Sequence, residues 1–148
     1  MLINAAAIPL RLQVHRPALW AWWRAARRRY PTEAFGYLIG RPVASSVFVA
    51  GVWLPRDIRR YSHTTHVEVP RHWFLRAYDQ AHEEGLQVVG CVHSHPDDQY
   101  DGCPSKTDLS DISGAVWGIT VVKKRQGLPR VVRTDWYGPV VKVEVAYA

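Results

Sequence analysis

Residues 86–95 read "LQVVGCVHSH", a run that is apolar almost throughout until it reaches two histidines. A β-branched run of this kind suits a strand covered on both faces, at the centre of a sheet. The segment before it, "PRHWFLRAYDQAHEEG", opens with Pro and closes with Gly. Those are helix start and stop signals, so the run is expected to follow a helix directly. Trp73, Ala77, Tyr78 and Ala81 are the expected buried face of that helix. A helix feeding a buried strand points to an α/β architecture in which helices cover a mixed sheet.

The remaining segments fit that plan. "IPLRLQV" alternates as a first strand does,. Pro17 suits the first turn of a helix, whose apolar stripe is expected at Leu19, Trp23, Ala26 and Tyr30,. Pro31 ends it,. "EAFGYLIGR" and "SSVFVAGVWLPR" read as strands, and "RRYSHTTHVEV" as a loop leading to a short strand. "SKTDLSDI" reads as a short helix. "AVWGITVVKK", "RVVRTDWYG" and "VVKVEVAYA" read as three more strands, with a turn at "RQGL". The order is β-α-β-β-α-β-α-β-β-β, and its length of 148 residues fits a single domain over 1–148,.

Charge and cysteine content narrow the function classes. The net charge of +6 would suit an acidic partner, but it is concentrated locally,. Arg24, Arg27, Arg28 and Arg29 lie in one segment, and Arg56, Arg59 and Arg60 in another. Neither carries the aromatic and glycine pattern of a named RNA-binding module, so nucleic-acid binding is disfavoured and the arginines read as a solvated face. Two cysteines, Cys91 and Cys103, do not make a disulfide framework,. With no signal peptide and no run able to span a bilayer, a cytoplasmic protein without membrane contact is expected. Seven Trp and seven Tyr are many for this length, and some are expected to face a partner.

Alternate side chains of a strand share a face, so His93 and His95 can aim two imidazoles at one point,. Zinc takes such ligands in a tetrahedron, and Asp108 is the best placed carboxylate for a third,. A fourth position left to water would bring the pKa of that water from about 15.7 to about 7. A carboxylate base to take its proton is worth about 10²–10⁴-fold, and Glu33 is a candidate, although nothing in its spacing brings it to His93,. Each piece has a plainer reading. Exposed strands tolerate His-X-His, and Ser105 with Asp108 is also an ordinary capping box,.

Taken together, "PTEAFGYLIG", "HSHP" and "PSKTDL" resemble the JAMM/MPN-plus zinc metalloprotease family, from about Ala18 to Val122. That pattern is an upstream Glu, then His-X-His-Pro, a loop, and Ser-X-X-Asp. The resemblance implies the MPN (cytidine-deaminase-like) fold, with zinc held by His93, His95 and Asp108. It implies Glu33 as general base and Ser105 as donor to the developing oxyanion,. It further implies cleavage after the C-terminal tail of a ubiquitin-like β-grasp protein or its conjugate. Prokaryotic members resemble components of antiviral conjugation systems, sulfur-carrier processing and phage tail assembly. With no second domain expected, recognition falls to the catalytic domain, a homodimer or a companion subunit.

The loop "PDDQYDGCP" between His95 and Ser105 has nine residues, about two more than the family pattern. Loop closure costs little more for that increment. Asp97, Asp98 and Asp101 make the loop acidic, which fits either solubility or a basic residue in the substrate tail. Cys91 or Cys103 as a fourth ligand would close the site and make it structural,. His63 and His66 in "SHTTH" suggest a further metal site, whereas His15, His72 and His82 show no ligand partner. The competing function is a non-catalytic MPN-type scaffold, against which the full ligand set argues.

Overall fold

The structure, a computed structural model, describes residues 11–97, 116–138 and 144–148. In chain order the elements are β1 (Arg11–Val14), α1 (Arg16–Arg29), β2 (Phe35–Val43), β3 (Ser46–Trp53), a 3₁₀ turn (Ile58–Arg60), α2 (Arg71–Glu83), β4 (Gln87–Pro96), β5 (Val116–Arg125), β6 (Leu128–Tyr137) and β7 (Glu144–Tyr147). The seven strands form one sheet in the order β6-β5-β4-β2-β3-β1-β7. β1 runs parallel to β3 and β7, and β4 parallel to β5, while the other pairs are antiparallel. The sheet is therefore mixed, as expected, with β4 and β2 at its centre. The expected helix at "SKTDLSDI" lies outside the described residues.

The helices cover opposite faces of the sheet, because neighbouring residues of β2 belong to different cores. Leu38 packs with Trp22, Ala26, Val49 and Val92 beneath α1. Ile39 packs with Ala77, Ala81 and Val88 beneath α2, with Tyr37 and Phe74 at its margin. Each fully buried large apolar side chain contributes about 1.5–3 kcal/mol, so both layers matter to stability.

Two expected helix faces are corrected. In α1 the buried stripe is Ala18, Leu19, Trp22 and Ala26, so Trp22 takes the central position that the spacing assigned to Trp23. The reason is polar as well as apolar. Trp22 Nε1 donates to Thr120 Oγ1 (2.8 Å), Trp23 Nε1 donates to Thr134 Oγ1 (2.9 Å), and the two hydroxyls pair across β5 and β6 (2.7 Å). Both indoles thus find partners on strands far away in sequence, and Thr120 is fully buried. In α2 the stripe is Trp73, Ala77 and Ala81 at four-residue steps, and Tyr78 is exposed instead. It lies a further 100° or so round the helix, where its ring stacks on His82,.

The turn at "RQGL" is a two-residue hairpin in which Gln126 and Gly127 both take positive φ. That conformation suits the twist of the flanking strands, and glycine adopts it without strain. "RRYSHTTHVEV" forms the 3₁₀ turn and then a single antiparallel bridge, Ser62 to Val67.

Candidate metal centre

Three donor groups converge at the end of β4. Glu33, His93 and His95 each offer an atom within 4.8 Å of the others. Strand alternation accounts for the two histidines, and sheet register accounts for the glutamate. Phe35 is the cross-strand partner of His93. Two residues back along the chain from Phe35 and two forward from His93, Glu33 comes opposite His95. Side chains directly opposite one another share a face, so the carboxylate and both imidazoles project from the same side of the sheet.

Backbone and side-chain bonds hold this extension of the ladder in place. Ser94 N donates to Ala34 O (3.0 Å), and Ala34 N donates to Ser94 Oγ (2.7 Å). Glu33 N donates to His63 O (2.8 Å), and the Ser62 hydroxyl donates to Glu33 O. The Glu33 backbone is thereby fixed directly by the segment after the 3₁₀ turn, and through its neighbour Ala34 by the central residue of "HSH". Neither Ser94 nor Ser62 stood out in the sequence. The middle position of His-X-His carries a visible signal only once its neighbour across the sheet is known.

The geometry fits a metal. Two imidazole nitrogens on one zinc at about 2.0–2.1 Å, at the tetrahedral angle, lie about 3.3 Å apart. His93 Nε2 and His95 Nε2 stand 3.1 Å apart, with their rings inclined at 62°. Glu33 and His95 are buried, at 6% and 3% exposure, and His93 is half-buried. Burying a carboxylate is costly unless it meets a cation or donors, and two imidazoles beside it supply a reason for its burial. The residues present can hold a divalent ion of the zinc class.

Of the other expected site residues, Ser105, Asp108, Asp98 and Asp101 lie outside the described residues. Asp97 follows β4 with φ 57°, its N–H donates to Val122 O (2.8 Å), and its carboxylate accepts from the Tyr30 hydroxyl. The acidic loop thus starts from a residue tied to the end of α1. Cys91 is on the same face as His93 but does not join the metal group among the described residues. It lies opposite Tyr37, whose phenol is pushed up to about 12 by burial first and by Cys91 second. His72, for which no metal-ligand partner was expected, joins no metal group among the described residues; its Nε2 lies 2.9 Å from Asp57 Oδ2, and Trp73 Nε1 donates to Asp57 Oδ1 (2.8 Å). Trp73 in turn stacks on Phe35 at 5.7 Å between centroids, which braces the start of β2, two residues after Glu33.

This fold agrees with comparison to known proteins. The family model for prokaryotic homologues of the JAB domain matches residues 15–136, most of the chain, and the protein belongs to that family. Among solved structures, it resembles a JAB1/MPN domain protein from Archaeoglobus fulgidus, with TM-score 0.60, 18% identity, and coverage of 93% of this chain and 98% of that one. It also resembles a protein of Desulfitobacterium hafniense, with TM-score 0.65, 18% identity, and coverage of 93% and 92%. A protein from Salinibacter ruber is similar at TM-score 0.52 and 24% identity, covering 88% and 90%. At such identities the likeness establishes the fold. No curated protein matches the sequence. Among the described residues, no helix is long and apolar enough to cross a membrane.

Proposed function

We propose that the protein is a zinc-dependent isopeptidase or peptidase that cleaves after the C-terminal tail of a ubiquitin-like β-grasp protein. The observation that carries this reading is the convergence of Glu33 with His93 and His95 on one face of the sheet. His93 and His95 would hold the ion, with Asp108 as third protein ligand. When bound, zinc supplies Lewis acidity towards the scissile carbonyl and makes a water easier to deprotonate. Glu33 accepts the proton of the attacking water at its carboxylate and returns it to the leaving amine, which is general acid–base work. Its burial keeps bulk water from competing, and the bonds from Ser62 and to His63 hold its backbone in place. Ser105 would donate to the oxygen that gains charge. The tail would enter extended, because a scissile bond must be presented unfolded. The acidic loop of Asp97, Asp98 and Asp101 would meet a basic side chain of that tail. A cytoplasmic setting, and recognition helped by a homodimer or a companion subunit, belong to the same reading.

The test uses the purified chain with fusions of ubiquitin-like proteins carrying small C-terminal residues. Zinc content is expected to fall in His95→Ala and to persist in Glu33→Gln, while turnover of Glu33→Gln drops by about 10²–10⁴-fold. A zinc-loaded wild-type chain that binds such fusions without cleaving them would show a scaffold and overturn the enzymatic reading. Zinc loss in Glu33→Gln would make Glu33 a ligand and remove it as the base.

A further inference from the structure

We propose that His63, His66 and Glu68 form a second divalent-cation site, separate from the one at the end of β4 and selective for zinc, nickel or copper. The proposal stands apart from the catalytic reading and holds whether or not the chain is an enzyme. It rests on the way a short hairpin turn arranges three donors. Ser62 and Val67 form an antiparallel bridge, and His63 N donates to His66 O (2.9 Å) across it. His63 and His66 are therefore cross-strand neighbours, and such pairs place their side chains on one face. Glu68 is two residues beyond His66, and alternation returns it to that face. The hairpin is closed a second time by Glu68 N donating to Tyr61 O (2.9 Å), so Glu68 is held in register too.

The side chains obey this expectation. The His63 and His66 rings lie nearly parallel, 4.4 Å between centroids and 18° apart. His63 Nε2 is 3.9 Å from Glu68 Oε1, and one donor atom from each of the three residues lies within 4.8 Å of the others. Thr65 Oγ1 lies 3.3 Å from His66 Nδ1, which leaves the Nε2 of His66 to face a ligand. Bound donors on one zinc would sit about 3.3 Å apart, so His63 and Glu68 must close by about 0.6 Å on loading and no pair by more than about 1.5 Å,. The side chains can do this because they are exposed, 46% for His63 and 64% for Glu68. Imidazole donors select the zinc, nickel and copper class over magnesium and calcium, which take oxygen. Three protein donors leave room for water or for a donor from a partner. The same hairpin holds Glu33 through His63 O and Ser62 Oγ, so the two donor groups share a backbone support.

The test is equilibrium dialysis of the full chain, stripped by chelator, against zinc and separately against nickel, with metal counted per chain. His93→Ala/His95→Ala removes the first group and is expected to retain one bound ion. Adding His66→Ala/Glu68→Gln to that protein is expected to abolish the remaining ion, and magnesium is expected not to bind either. His66→Ala/Glu68→Gln alone leaves the backbone bonds of the hairpin intact and is expected to lose one ion relative to wild type. If the His93/His95 variant does not fold, the unaltered chain carries the test. After zinc fills the tighter site, paramagnetic nickel is expected to broaden the amide resonances of residues 62–68 before others. An unchanged ion count on His66→Ala/Glu68→Gln, or no broadening at 62–68, overturns the proposal.

Discussion

Ser94→Ala is the substitution that isolates what the centre of "HSH" does. The change removes one oxygen and leaves both histidines, the strand and the Ser94 N to Ala34 O bond untouched. What disappears is the acceptor for Ala34 N, at 2.7 Å. Ala34 is 2% exposed and Ser94 1% exposed, so water cannot reach the stranded N–H. An unsatisfied buried donor costs about 1–3 kcal/mol, and no cavity term of comparable size adds to it. With a urea slope of about 2 kcal/mol/M, the unfolding midpoint is expected to fall by roughly 0.5–1.5 M. Ser62→Ala is the matched control. It removes a hydroxyl that donates to Glu33 O one residue earlier, but at a partly exposed position where water can replace it. Its cost is expected near the net value of an ordinary hydrogen bond, about 0.5–1.5 kcal/mol. The same titrations repeated with saturating zinc read whether the flanking His93 and His95 have shifted, since disturbed ligands gain less stability from the ion. Ser94→Ala within about 0.5 kcal/mol of wild type, or less costly than Ser62→Ala, would refute the view that Ser94 anchors the Glu33 strand.

Other expectations follow from the same contacts. Thr120→Val keeps shape but strands the Trp22 indole N–H, and is expected to cost about 1–3 kcal/mol by chemical denaturation, with a change in Trp fluorescence,. Gly90→Ala is expected to yield little folded protein on expression and gel filtration, because its Cβ would come 1.7 Å from Val116 O. Asp57→Asn tests the tie between the 3₁₀ turn and α2. The Asp57 carboxyl is held below its ordinary value of 3.8 by its hydrogen bond with His72 first, with help from Trp73 and against desolvation. A carboxyl depressed in the folded state stabilises above its unfolded-state pKa, and the effect fades as pH falls through the folded-state value. Thermal melts are therefore expected to show wild type above Asp57→Asn at neutral pH, with the gap closing below about pH 4. A gap that widens in acid would reverse the assignment.

The facing of His93 and His95 was legible because alternation is a local rule. The seven strands were legible too, each marked by β-branched residues and bounded by turn signals. What could not be read was which of two adjacent tryptophans faces inward. Leu19, Trp23, Ala26 and Tyr30 have helical spacing, and so do Ala18, Leu19, Trp22 and Ala26. The choice rests on Thr120 and Thr134, which are about a hundred residues away. The same holds for Asp57, whose partners His72 and Trp73 lie beyond a loop with no periodicity to follow. The encounter of Glu33 with His95 was hidden for a further reason. It depends on a register, and a register is a property of two strands together.

That register is set by one extra residue. Near the site β2 and β4 pair Phe35 with His93 and Leu38 with Gly90, but beyond it Ile39 pairs with Val88 and Gly40 with Gln87. Val89 is the residue with no counterpart, a bulge in β4. Had the farther register run straight through, Phe35 would lie opposite Val92 and Glu33 opposite Ser94. A slip of one residue turns every side chain to the other face, so the carboxylate would point away from both imidazoles. The bulge is held by burial on both sides of the sheet. Val88 packs under α2 with Ala77 and Ala81, while Val89 packs on the α1 side, in the core of Trp22 and Val92. Both valines are fully buried, so straightening the strand would expose one of them or force it into the wrong core. Gly90 follows at once, where β5 comes too close for any side chain. The unbroken apolar run "VVG" is thus the means by which a glutamate at the end of one strand meets two histidines at the end of another.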